Sequence, residues 1–350
     1  MGKRVTIQDI ADELGLSRNT VSKALNNAGG LSDTTRERII QKAMELGYRQ
    51  FAFMGSTSDF GRRDPSPAPI EGPREVAVLT TLFIDRSHFG SLTLDALQND
   101  LAQRGYMLNT HRVSKENLAE RALPLTLRLE NVAAIVCIEM FDHDYDDMVC
   151  SLGIPTLFLD GPVQLNGYQL PSDQILMDNT TGISRLVGDM LSQGVTRIGF
   201  MGDWLHCQSF LERYLAFRSA MLLAGAPIDE RLCLCCNKVA RIHSRLSALD
   251  ELPELIICAN DFVAIDTLRA LRKMGLDVPR DILLSGFDDS SESRNWVPPL
   301  TTVHIHTQSI AYSAMQLLMT RLQEPDLAYR RVYTQTDLIY RRSTDRIPEA

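Results

Sequence analysis

The sequence predicts a small all-α headpiece of the helix-turn-helix type, followed by an α/β body built from two units. Three observations carry that expectation. Residues 5–49 hold three short helical periods, each with its own start and stop signals. Residues 55–73 are rich in Gly, Pro and Ser and have no period, which reads as a linker. From residue 75 onward, short apolar runs alternate with amphipathic segments, the pattern of a parallel sheet with crossover helices.

In the first helix Thr6 is placed to cap the N-terminus, Ile7, Ile10, Ala11 and Leu14 recur at helical spacing, and Gly15 is the stop. Ser17 then caps a second helix with Val21, Ala24 and Leu25 on one face and Arg18, Asn19, Ser22 and Lys23 on the other. A third runs from Ser32 through Ile39, Ile40, Ala43, Met44 and Leu46 to Gly47. Two helices joined by a glycine turn leave the N-terminal end of the second free to enter a DNA major groove. Arg18, Asn19 and Lys23 are the candidate base readers, since Arg and Lys pair with guanine O6/N7 and Asn with adenine N6/N7. Thr6, Ser17, Thr20, Ser22, Asn26, Ser32 and Thr35 are candidate phosphate contacts, through short hydroxyls, an amide and helix-start N–H groups. Any one of these is also a plain helix cap; the DNA reading rests on their joint occurrence with a basic polar face.

The formal charge of −8 is unevenly divided. Residues 1–49 carry eight Lys/Arg against six Asp/Glu, a surplus of +2, so the remainder carries −10. A weakly basic headpiece on an acidic body limits non-specific contact with nucleic acid. No N-terminal apolar run and no apolar stretch long enough to span a bilayer occur, so a cytoplasmic protein without membrane attachment is expected. Seven cysteines, an odd number and mostly within apolar runs, read as buried thiols of a reducing compartment. Cys233, Cys235 and Cys236 lack a metal-ligand spacing and read as part of a buried strand; no metal and no cofactor is assigned.

In the body, strands are predicted at 76–80, 107–110, 133–138, 156–160, 175–178, 198–201, 255–259, 282–287 and 302–305. Helices are predicted at 92–104, 180–193, 211–223, 262–274 and 308–322. Ligands of open α/β sheets bind at strand carboxyl ends, and Asp160, Asn260 and Asp288 each fall there. A short polar residue at that place is also the cap of a following helix. His304 and His306 alternate on a strand without a third ligand and read as structural. Without a phosphate-binding glycine loop, a GxSxG elbow or HExxH, no catalytic residue is assigned. An α/β enzyme with a fused DNA-binding domain is the rival reading.

The headpiece resembles that of the LacI/GalR family of bacterial transcription regulators. The resemblance is carried by Thr6-Ile7-Gln8-Asp9-Ile10-Ala11, Gly15-Leu16-Ser17, Thr20-Val21-Ser22-Lys23, Leu25-Asn26, Ser32, Thr35-Arg36 and Leu46-Gly47-Tyr48. It continues through Gly153-Ile154-Pro155, Asp178-Asn179, Arg197-Ile198-Gly199-Phe200-Met201-Gly202, Glu212-Arg213, Asn260-Asp261, Gly286-Phe287-Asp288-Asp289 and Pro298-Pro299-Leu300-Thr301-Thr302-Val303. The resemblance implies a headpiece at 1–49, a linker at 50–74 and, at 75–346, a two-lobe body similar to periplasmic sugar-binding proteins. Its lobes would be 75–175 plus 305–333 and 176–304 plus 334–346, joined by three crossings around a ligand cleft. It further implies a homodimeric repressor of a palindromic operator, with Phe89, Asp160, Arg213, Asn260 and Asp288 contacting a small effector. A sugar or sugar derivative suits that set; a nucleobase or a partner protein is the alternative. Arg213 also has a structural reading, as the partner of a carboxylate. The chain departs from the family at Gln50-Phe51, where a Pro-Asn pair is usual, and at Ser56-Thr57, near the place of a hinge-helix leucine. A weak, absent or shifted hinge helix is therefore expected, with Phe51, Phe53 or Met54 as the available apolar wedges. Ser87-His88-Phe89-Gly90 replaces a run of Asn-Pro-Phe-aromatic type, so one wall of the cleft is altered.

Overall fold

The computed structural model describes residues 6–25, 35, 38, 39, 42, 46, 72–82, 89–236 and 238–345. The chain forms two compact units, Met1–Pro69 and Ile70–Ala350.

In the first unit, α1 (Ile7–Leu14) starts with a reciprocal cap: the Thr6 hydroxyl accepts the Asp9 N–H and the Asp9 carboxylate takes the Thr6 N–H at 2.7 Å. Gly15 ends it at φ 64, a left-handed conformation in which a Cβ is strained. The chain then enters α2 (Arg18–Leu25), whose first turn donates the Thr20 N–H to the Ser17 hydroxyl at 3.1 Å. Ile10, Ala11, Val21, Ala24 and Ile39 form a small buried core, with Ile7, Leu14, Leu16 and Leu46 packed around it. Thr35, Arg38, Ile39 and Lys42 are helical. Asn26, Ser32, the rest of the third predicted helix and the hinge segment 50–57 lie outside the described residues.

The second unit opens with β1 (Glu75–Thr80), α3 (Phe89–Gln103), β2 (Met107–Arg112), α4 (Lys115–Glu120), β3 (Val132–Ile138), α5 (His143–Cys150), β4 (Thr156–Leu159) and β5 (Asp173–Met177). It continues with α6 (Thr181–Ser192), β6 (Ile198–Met201), α7 (Gln208–Leu223), β7 (Cys233–Leu234), α8 (Val239–Ser247), β8 (Leu255–Cys258), α9 (Asp261–Lys273), β9 (Leu283–Ser285) and α10 (Ser291–Asn295). Then come β10 (Thr302–Ile305), α11 (Thr307–Gln323), β11 (Arg331–Thr334) and β12 (Thr336–Ile339).

One parallel sheet has the order β11-β5-β4-β3-β1-β2 and the other β7-β6-β8-β9, with β10 and β12 as an antiparallel pair. Single bridges, Ser285 to Thr301 and Asp288 to His304, lay the β10 segment beside the end of β9. The chain therefore passes between lobes after β5, after β10 and between β11 and β12. β1 reads EVAVLT and is buried along its whole length because it has a neighbour on each side and helices cover both faces. β2, at the sheet edge, is mostly polar; its one buried residue, His111, is held by Glu75 at 2.7 Å and Thr126 at 2.9 Å. In the other lobe, Gly202 ends β6 at φ 152, and a Cβ there would lie 2.4 Å from the Ala259 Cβ. The floor of the lobe thus closes only around glycine.

Asp289 ties the last segments of that lobe together. Its carboxylate meets His304 at 2.9 Å, Arg294 at 2.7 Å and Arg341 at 2.5 Å. Burial by itself would raise its pKa, but these partners hold it down to about 2. His306 likewise pairs with Asp337 at 2.9 Å, so both histidines have structural partners.

Asp146, on α5, is the opposite case. It is fully buried, and neither carboxylate oxygen has a hydrogen-bond partner. Burial, reinforced by Asp142 and Asp147, pushes its pKa up to about 8 from 3.8. The unfolded chain loses this proton near pH 4 and the folded chain near pH 8, so the folded state is increasingly disfavoured as pH rises through that window. Replacing Asp146 with Asn is expected to flatten the decline, which is bounded by about 1.4 kcal/mol per pH unit. Unfolding measured from pH 4 to 8 checks it, and an unchanged slope in the variant would contradict it.

Candidate functional site

Two surfaces carry the polar chemistry, one in each unit. In the first, burial of Val21 and Ala24 on one side of α2 leaves Arg18, Asn19 and Lys23 exposed on the other. Ser17 and Thr6 are exposed at the two helix starts, while Thr20, Ser22 and Thr35 are half-buried. A helix that shows a guanidinium and an amide in its first turn, with no acidic side chain there, and an ammonium on the same exposed side further along, is suited to a phosphate-lined groove.

The second surface is a cavity of about 340 Å³ at the carboxyl ends of the strands in both lobes. Phe89, Asp160, Arg213, Asn260 and Asp288 all line it. Phe89 is the first residue of α3; 83–88, including Ser87 and His88, lie outside the described residues. Asp160 follows β4 directly and is left-handed at φ 64, so the predicted strand stops one residue short of it. Its carboxylate accepts the Ser209 N–H at 3.2 Å in the first turn of α7, where the helix dipole favours negative charge. Burial nevertheless dominates over Ser209 and Arg213 and pushes its pKa up to about 6.

Arg213 is buried and already largely engaged. Its Nε donates to Asn179 Oδ1 at 2.9 Å and its Nη1 to the Ala259 carbonyl at 2.8 Å; Nη1 lies 3.4 Å from an Asp288 carboxylate oxygen. Cζ sits 3.6 Å from the centroid of the Phe287 ring, a cation–π contact. The guanidinium expected to contact an effector is thus partly spent on protein acceptors, as its structural reading allowed. Asn260 Oδ1 accepts the Val263 N–H at 2.9 Å, so this residue is a helix cap that also borders the cavity. Asp288 is no cap: Ser290 caps α10, and Asp288 is held at φ 108 beside β10, its N–H donating to the Val303 carbonyl.

The sequence reading missed several wall residues, namely Phe141, His206, Phe210 and Phe262, with the carboxylates Glu139 and Asp266. Phe141 meets His206 edge-on at 4.9 Å, and His206 lies 5.6 Å from Phe210. Glu139, Phe141 and Phe262 sit one to four residues beyond β3 or β8, so the signal that singled out Asp160 applies to them too. A larger groove of about 510 Å³ lies elsewhere, lined by Asp178, Asn179, Thr180, Glu212, Leu215 and Tyr333 among others. The smaller cavity is the ligand-site candidate because strand carboxyl ends and both lobes converge on it.

All seven cysteines are free thiols, and Cys233 lies in β7. Among the described residues no group of three or more His, Cys, Asp or Glu is arranged to hold a metal ion, and no helix is long and apolar enough to cross a membrane.

Comparison with known proteins matches residues 6–50 to the profile described as bacterial regulatory proteins, lacI family, and residues 187–344 to that of the periplasmic binding protein-like domain. The HTH-type transcriptional repressor PurR of Mannheimia succiniciproducens is 24% identical over 358 residues, covering 98% of this chain and 99% of that protein. The chain joins a lacI-family N-terminal domain to a periplasmic binding protein-like domain. The HTH-type transcriptional regulator GalR of Lacticaseibacillus casei is 26% identical over 361 residues, covering 97% of this chain and 99% of its own. The fold is shared with solved structures, two of which cover nearly the whole chain. A transcriptional regulator CelR–cellobiose complex has a TM-score of 0.66 at 23% identity, covering 97% of this chain and 100% of the other. The lac repressor dimer bound to operator and the anti-inducer ONPF has 0.63 at 21%, covering 98% and 99%.

Proposed function

We propose that the chain is a sequence-specific DNA-binding transcription regulator, a repressor acting as a homodimer in the cytoplasm and controlled by a small effector in the cleft. The observation that carries this reading is the presence, in one lacI-family chain, of an exposed Arg18-Asn19-Lys23 face and a polar cavity between two lobes. In it, 1–49 is the DNA-binding headpiece, 50–74 the linker and 75–346 the effector-binding and dimerisation body. Arg18, Asn19 and Lys23 read bases, and Thr6, Ser17, Thr20, Ser22, Asn26, Ser32 and Thr35 hold phosphates. A single helix-turn-helix reads too few base pairs for a specific site, which argues for a two-fold dimer on a palindrome. The effector is a sugar or sugar derivative contacted by Phe89, Asp160, Arg213, Asn260 and Asp288. The acidic polar lining suits hydroxyl and amine donors, and one solved structure that shares the fold is a complex of the regulator CelR with cellobiose. An effector acts by binding the two lobe arrangements unequally.

Footprinting on a DNA site selected from a random pool tests the proposal. Two protected half-sites, with protection changed by a ligand that binds the body, are expected; one isolated half-site, or protection unaffected by every ligand that binds the body, would contradict it. Because Gln50-Phe51 replaces the usual hinge pair, the central base step of that site is expected to contribute less than the half-sites. A sharp central bend lost in Phe53→Ala would reverse that expectation.

A further inference from the structure

Away from the cleft, the helix pair α6–α7 turns an apolar face outward. Successive helix residues are rotated by about 100°, so Leu215, Ser219, Leu222 and Leu223 fall within one stripe of α7, itself about 100° wide. Tyr214, Phe217 and Met221 on the other side are buried. The stripe is left out of that core: Leu215 is 48% exposed, Leu222 75% and Leu223 87%. Neighbouring leucines at exposed helix positions add nothing to the fold and mark a surface that meets a partner. Beside them α6 offers small residues. Ser184 and Gly188 are exposed, and a Cβ built on Gly188 meets nothing within 4 Å. The groove of about 510 Å³ opens between the two helices, with Ser184 on one side and Leu215, Ala216 and Ser219 on the other.

The polar groups at the mouth of this groove are engaged within the protein. Glu212 accepts the Asn179 amide at 2.7 Å, the Tyr333 O–H at 2.8 Å and the Gln208 amide at 2.9 Å. Asp178 Oδ1 accepts the Thr180 and Thr181 N–H groups at 2.9 and 3.1 Å. The groove therefore offers an occupant chiefly shape and apolar contact. Charged side chains flanking the stripe also have partners, Arg185 with Asp189 at 3.6 Å and Arg218 with Glu230 at 2.7 Å. A ridge of leucines beside a channel of small residues is self-complementary, because a two-fold rotation sets each ridge into the other copy's channel.

Area decides what kind of contact this is. Helices of 12 and 16 residues are about 18 and 24 Å long and pack about 9 Å apart, so the face offers about 400 Å² per copy. One pairing buries about 800 Å², less than the roughly 1,200 Å² of a stable interface, and does not hold a dimer by itself. A homodimer presents the face twice. In a closed particle with three two-fold axes, two pairings bury about 1,600 Å², the size of a standard interface. We infer that the α6–α7 face docks a second copy of the chain and joins two homodimers into a tetramer, with Leu222 and Leu223 of each chain packed against Ser184 and Gly188 of its counterpart. This step rests on the homodimer reading. A four-chain particle carries two pairs of headpieces and so has valence for two DNA sites.

Sedimentation velocity on the full-length chain, from tens of nanomolar to tens of micromolar, tests the inference. A dimer–tetramer equilibrium is expected. Leu222→Glu combined with Leu223→Glu, and separately Gly188→Lys, should each weaken the tetramer by more than about tenfold and leave the dimer intact. All three positions are exposed, and lysine forms helix better than glycine, so both variants fold. Mixing the two variants should restore tetramers, since the introduced carboxylates then face the introduced ammonium while the other ridge and channel of each pairing stay native. A dimer at every concentration would overturn the inference, leaving the homodimer standing and the face to a different partner. A monomer at every concentration would overturn the homodimer reading with it. Tetramers that neither variant weakens, or a mixture that stays dimeric, would overturn the assigned contact.

Discussion

Replacing Arg18 or Lys23 with alanine removes much of the preference for the selected DNA site and leaves both units folded. Both side chains are exposed on α2, opposite the buried Val21 and Ala24, so truncation forfeits no packing. On the proposed base-reading role it forfeits a hydrogen-bonded base contact, worth about 1–3 kcal/mol of discrimination for each bidentate contact. Non-specific binding should fall only slightly, because each variant loses a single charge from the phosphate-facing surface. Competition between the selected site and random DNA, at fixed salt, measures the difference. Variants that prefer the parent's sequence with the parent's strength would show that α2 does not read bases.

Arg213→Ala has the second large effect, and it is twofold. The side chain is buried and satisfies Asn179, the Ala259 carbonyl and Asp288 together, so its removal leaves buried polar groups and a carboxylate without their cation. Breaking a buried charge pair from one side typically costs about 3–5 kcal/mol. Ligand stabilisation should vanish as well: at about 100 times the dissociation constant, a bound ligand raises the parent's stability by about 2.7 kcal/mol. Asp288→Ala, which leaves Arg213 bonded to Asn179 and Ala259, separates the two effects by losing the ligand response with a smaller loss of fold stability. Thermal unfolding with and without a ligand that binds the body reads both. Retention of the full ligand shift in both variants would place the ligand elsewhere.

The parts of this fold legible from sequence were those where local chemistry and burial agree. Strands 198–201 and 302–305 match the predicted bounds: apolar residues fill the first and Gly202 ends it, and in the second the β-branched Val303 and Ile305 are buried at alternate positions. β11 and β12 were not predicted: RVYT and TDLI are four residues each, partly polar, and owe their strand form to partners distant in sequence, β5 and β10. The small helices α4, α5, α8 and α10 were missed as well, since they are short and in part strongly polar. In the cleft, the family resemblance singled out five residues that the structure gathers around one cavity, but it carried no information on how far Arg213 is engaged. That engagement joins residues more than thirty positions apart, 213 with 179 and 259, and no local spacing encodes it. The aromatic wall was hidden for another reason. A phenylalanine after a strand reads as core until the fold shows which side of the sheet end it faces.

Sequence-specific DNA binding is tested by selecting bound sequences from a random double-stranded DNA pool with the full-length chain. Enrichment of one palindrome with two half-sites is expected, lost when Arg18 and Lys23 are replaced together. No enriched sequence, or the same palindrome recovered by the double variant, would contradict it.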